Sequence, residues 1–69
     1  MNHLEQIIEI HESMENGQRK QAVEQMQDYL MYDFFADYAN YLTTLYEDAE
    51  TREQYIIDAA SSYFRITNK

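Results

Sequence analysis

The residues with the clearest chemical potential in this sequence are carboxylates. Glu24, Asp28, Asp33 and Asp37 follow one another at spacings of four, five and four. A second set, Glu47, Asp48, Glu50 and Glu53, lies about ten residues further on, and Glu5, Glu9, Glu12 and Glu15 form a third near the start. Side chains three or four apart on a helix stand roughly 5–6 Å apart at Cβ. Phosphates of one strand of duplex DNA advance about 3.4 Å each along the axis while winding around it, so their direct separation is longer than that and comparable to the spacing of helical acid ladders. Aromatic residues interleave with the central acids: Tyr29, Tyr32, Phe34, Phe35 and Tyr38. An acidic surface carrying aromatics suits a cleft that normally holds nucleic acid through Lys, Arg and stacking contacts. The bland alternative is a solvated helix face in which Asp33 and Asp48 serve only as caps.

Other chemistry finds little support. His3 and His11 are eight residues apart, about 12 Å along a helix, too far to share an ion. The carboxylate pairs lack the accompanying Glu-x-x-His of helical metal sites. No metal or cofactor is therefore expected, and His11, set within an apolar stripe, reads as a core or interface histidine. The sequence has no Cys, and its single Gly leaves no Gly-rich loop for a phosphate. Ser13, Ser61 and Ser62 fall in helical segments with no base of matching spacing. A chain of 69 residues also offers little room for a small-molecule pocket. The expectation is a binding protein and not an enzyme.

Charge narrows the choice of partner. Thirteen acids against five bases give a formal charge of -8, and between Gln21 and Thr51 there are seven acids and no Lys or Arg. Such a surface repels nucleic acid and anionic membranes and attracts proteins with basic clefts. A helix-turn-helix reader would need a basic recognition helix, and none of these segments has a basic face. No stretch approaches the roughly 20 apolar residues of a membrane span, and no basic-then-apolar leader opens the chain, so a soluble, cytoplasmic protein is expected.

The elements that must position these acids are helices. Pro is absent, and the apolar residues recur at helical spacing. The first helix is expected to begin at Asn2, with Glu5 completing a capping box. It carries Leu4, Ile7, Ile8, His11 and Met14 and ends at Asn16-Gly17. A second, from Gln18, presents Ala22, Val23, Met26, Tyr29 and Leu30. A third presents Phe34, Tyr38, Tyr41 and Leu45, with a second apolar flank of Phe35, Leu42 and Tyr46 left for a partner or a second copy. The second and third stripes differ in phase by about a third of a turn. That mismatch predicts a break near Met31–Asp33, with Asp33 as the new N-cap. The last helix is expected from Ala49–Arg52, capped by Asp48 or Thr51, with Tyr55, Ile56, Ala59, Ala60, Tyr63 and Phe64 inward and a frayed Thr67-Asn68-Lys69 tail. The fold class expected is all-α: one domain over residues 1–69, a compact bundle of three to four short helices. Seven tyrosines exceed what so small a core hides, so several should be partly exposed, and a homodimer would add buried area.

The segment Glu15-Asn16-Gly17-Gln18-Arg19-Lys20-Gln21-Ala22-Val23-Glu24, followed by Tyr32-Asp33-Phe34-Phe35-Ala36-Asp37-Tyr38, resembles a pattern found in small acidic proteins of bacteriophages. It covers about the middle third of the chain. Relatives often carry Gly just before Tyr-Asp-Phe-Phe, where this chain has Leu30-Met31, which implies a softer break. The resemblance implies an early phage protein that disables a host protein in the bacterial cytoplasm. Targets of that class include polymerase, sliding clamp, uracil-DNA glycosylase, and restriction or CRISPR nucleases. The residues expected to meet such a basic cleft are Glu24, Asp28, Tyr32, Asp33, Phe35, Asp37, Tyr46, Glu47, Asp48 and Glu50. The alternative is a small helical adaptor or structural protein that self-associates or docks through its aromatic face.

Overall fold

The computed structural model describes residues 3–29 and 31–67, with the side chains of residues 3, 31 and 32 left out. The proposed cap at Asn2, the stripe position Leu30, the side chain of Tyr32 and the tail residues Asn68 and Lys69 lie outside what is described. Four helices follow in order: α1 His3–Glu15, α2 Arg19–Asp28, α3 Met31–Leu45 and α4 Ala49–Thr67. The all-α bundle anticipated from the apolar periodicity is the fold. None of the described helices is long and apolar enough to cross a membrane.

Each junction has a chemical cause. Gly17, at φ 79°, takes the left-handed conformation after α1. Its N–H donates to the Met14 carbonyl at 3.2 Å, and the Gln18 N–H donates to that of Ser13 at 2.8 Å. These two bonds make a Schellman motif that satisfies carbonyls the helix would otherwise orphan. Asp48, and not Thr51, caps α4: its carboxylate accepts from the Thr51 N–H at 3.2 Å and the Thr51 hydroxyl at 2.8 Å.

The α2–α3 break differs from the expected one. Tyr29, with extended backbone (φ -96°, ψ 144°), ends α2, and Met31 is already helical. Asp33 therefore lies inside the first turn of α3, where a carboxylate favours the positive end of the helix dipole without capping it. The extended Tyr29 breaks the helical phase between α2 and α3. It turns its own ring into the core, edge-on to Phe34 at 5.9 Å, and frees α3 to bury a stripe of different phase.

The core comprises Ile7, Ile10 and Met14 of α1, Ala22, Val23 and Met26 of α2, Tyr29, and Phe34, Tyr38 and Leu42 of α3, with Ala59 of α4. Four assignments change. Leu42 is fully buried and forms the α3 seam with Phe34 and Tyr38 at four-residue spacing, so it is no partner-facing flank. Leu45, expected inside, is exposed at the end of α3, and Phe64 on α4 is 54% exposed. On α1 the buried stripe runs through Ile7, Ile10 and Met14, leaving Leu4 51% exposed. Tyr41, Tyr46, Tyr55 and Tyr63 sit half-buried against the core.

Candidate functional site

The central acids occupy the corner where α2 meets α3. Glu24 and Asp28 are exposed on α2, and Asp33 is exposed on the first turn of α3. Asp37, one turn further along, is half-buried and accepts a hydrogen bond from the Tyr29 hydroxyl. Burial foremost, then that bond and the charges of Asp37 and Asp33, push the Tyr29 phenol up to about 12. Asp37 thus has a structural duty, fixing the Tyr29 corner, besides any part in binding.

The second acid group lies at the other end of α3. Glu47 and Glu50 are exposed. Asp48 is committed to its cap, and the Thr51 hydroxyl bond chiefly holds its carboxyl below the usual range. The 15 residues of α3 span about 22 Å at the rise of an α-helix, so the two acid groups form separate patches. Arg52 closes the α3–α4 connection by donating from Nη1 to the carbonyls of Tyr46 and Glu47, at 2.8 and 2.7 Å.

The aromatic candidates face inward more than outward. Phe35 is half-buried and edge-on to Phe34 at 5.0 Å. Tyr46, just past the end of α3, stacks on Tyr55 with centroids 5.0 Å apart and planes 15° apart, and its hydroxyl donates to that of Tyr55 at 3.1 Å. Among the described residues, the large apolar side chains that stand open to solvent are Leu4, Leu45, Ile57 and Phe64.

A polar cluster that residue spacing could not reveal lies at the centre of the bundle. His11 is 7% exposed, and its Nδ1 shares a 2.8 Å hydrogen bond with the Tyr38 hydroxyl. Rings of Tyr38, Tyr41 and Tyr55 surround the imidazole at centroid distances of 5.7, 5.7 and 5.3 Å. Burial lowers the His11 pKa against the opposing pull of Glu15 and Glu12. The Tyr55 phenol is pushed up to about 12, first by its bond with Tyr46, then by burial and the charge of Glu15. His11 is a core histidine whose ring nitrogen is hydrogen-bonded to the Tyr38 hydroxyl. Among the described residues no group of three or more His, Asp or Glu is arranged to hold a metal ion.

The fold also opens a groove of about 470 Å³ between α1 and α3, lined by Leu4, Ile7, Asp37, Asn40, Tyr41 and Thr44. Its α3 wall joins Asp37 and Tyr41 to Asn40 and Thr44, which no acid or aromatic pattern singled out. The helical spacing of Asn40, Tyr41 and Thr44 from Asp37 was the available signal.

No protein-family model, curated protein or solved structure matches the chain.

Proposed function

We propose that this protein is a binder and not a catalyst: a phage-type inhibitor that sets its acidic α2–α3 corner into the basic cleft of a host nucleic-acid-handling protein. A polymerase, a sliding clamp, or a nuclease of a restriction or CRISPR system has the required cleft. The site of action is the bacterial cytoplasm. One observation carries the reading. Glu24, Asp28 and Asp33 are all exposed, on the two helices that flank the α2–α3 connection, inside a stretch of sequence that contains no base. Two of the bases are engaged elsewhere, and Lys20 is exposed one turn before Glu24 on α2. Arg19 pairs with Asp58 at 2.9 Å and donates to Ser62 at 2.9 Å, and Arg52 holds the α3–α4 connection. Nothing among the described ion pairs offsets the corner, so its field projects outward, where it accelerates encounter with a positive cleft.

The test is capture from bacterial lysate at low salt, comparing the wild type with the triple variant Glu24→Gln, Asp28→Asn, Asp33→Asn. The expected result is a retained protein that the variant loses and that duplex DNA displaces from the wild type. A captured protein indifferent to both the variant and DNA would rule the corner out.

A second reading, a helical adaptor, draws on a different observation. Ile57 and Phe64 are 49% and 54% exposed and lie seven residues apart, on one face of α4. That face supports docking of an apolar partner or of a second copy.

A further inference from the structure

We infer that the α1–α3 groove receives an amphipathic, basic helix of a partner protein, its apolar side filling the groove and its cationic end reaching Asp33 and Asp37. The inference rests on the acidic-corner reading and adds to it the kind of segment that is bound. The floor of the groove is Ile7, which is buried, with half-buried Tyr41 beside it; Leu4, Asn40 and Thr44 form exposed lips. Asp37, Asn40, Tyr41 and Thr44 fall at i, i+3, i+4 and i+7, one face of α3. Asp33, four residues before Asp37, continues that face to the acidic corner. Apolar groove and acidic corner are therefore one surface, about 16 Å long from Asp33 to Thr44, the length of three helical turns. A wall of two helices around an apolar floor is the setting in which helices dock through residues at i, i+3 or i+4, and i+7.

Charge selects the occupant. Lys or Arg at one end of the docked segment would face Asp33 and the half-buried carboxylate of Asp37, while an acidic segment would be repelled. A second copy of this chain fits poorly for that reason: its own open apolar face on α4 carries Glu50 and Glu53 at one end against a single Arg65 at the other, and each copy carries a formal charge of -8. A free anion or a nucleic acid meets the same repulsion.

The test titrates the protein with a synthetic helical peptide of leucines and lysines about 18 residues long, followed by amide chemical shifts. A serine–lysine peptide of equal charge serves as the control. The leucine–lysine peptide should bind about tenfold or more tightly than the control, with the largest shifts at Leu4, Tyr41 and Thr44. Asn40→Arg, an exposed lip residue, should weaken it by a similar factor while the circular dichroism spectrum is unchanged, and Thr44→Arg should do the same. Asp33→Asn should weaken binding and flatten its salt dependence. Equal binding of both peptides with shifts centred on Glu24 and Asp28 would overturn the groove and leave the acidic corner standing. Groove-centred binding combined with no loss of lysate partner in the Glu24, Asp28, Asp33 triple variant would uphold the groove and sink the corner.

Discussion

At the scale of single residues, the His11–Tyr38 pair sets a hydrogen-bonded polar contact inside the core. A buried imidazole is tolerated because Tyr38 supplies a hydrogen bond and three aromatic rings supply packing. Removing the hydroxyl with Tyr38→Phe leaves a buried ring nitrogen without its partner, a loss of about 1–3 kcal/mol. Urea denaturation should show it as a lower midpoint at unchanged slope. Protonation matters in the same place. Burial lowers the His11 pKa below 6.5, so below that value the unfolded chain binds a proton that the folded one excludes. Stability attributable to His11 is complete above the unfolded pKa and declines as pH falls beneath it. Comparing the wild type with His11→Gln from about pH 7.5 to about pH 5.5 should show the wild type losing stability relative to the variant. A constant difference across that range would mean that the imidazole is solvated in the folded state.

At the scale of elements, the turns carry predictions that packing alone would not. A Cβ added at Gly17 would meet no atom within 4 Å, yet Gly17→Ala should cost roughly 1–2 kcal/mol, because φ 79° strains an L-residue. Gly17→Asn should cost less, since Asn tolerates the left-handed region; thermal unfolding of the two variants separates strain from space. Asp48→Asn should lower the melting temperature at neutral pH. The depressed Asp48 carboxyl stabilises the fold above the usual carboxylate value of 3.8 and ceases to do so as pH falls through its folded value. The gap between variant and wild type should close in acid. The Gly17 stop was legible in the amino-acid sequence, as were Asp48 as one of two candidate caps, a bundle of three to four helices and most of the buried stripe, because Gly after a helix and Asp before one act locally. The α2–α3 break was placed two residues late. No Gly or Pro marks it, and Tyr29 is held by side chains of the following helix, Phe34 and Asp37. Likewise Phe64 shares the helical spacing of the inward-facing residues of α4, but this short bundle has no neighbouring helix on that side to cover it. The acids of the candidate site could be read as exposed, whereas the groove beside them needs α1 and α3 brought together, and no local pattern encodes that.

At the scale of the whole molecule, the excess of acid is a cost that binding would explain. The body measures 34 × 28 × 23 Å, so at about 0.01 M salt, where the screening length is about 30 Å, every carboxylate feels the others; at about 0.15 M it is about 8 Å and only neighbours interact. A formal charge of -8 then opposes compaction most at low ionic strength. Raising salt across that range should raise the melting temperature while weakening attachment to a basic partner. The two effects share their residues at the α2–α3 corner. The triple variant Glu24→Gln, Asp28→Asn, Asp33→Asn removes three charges that no described ion pair offsets, so at low salt it should melt higher than the wild type while losing the partner. Surface acids kept only for solubility would give the first effect without the second. Residues that stabilise when neutralised and disable when neutralised occupy a site held against the preference of the fold. Melting curves and partner capture on this one variant, at two salt concentrations, distinguish the two cases.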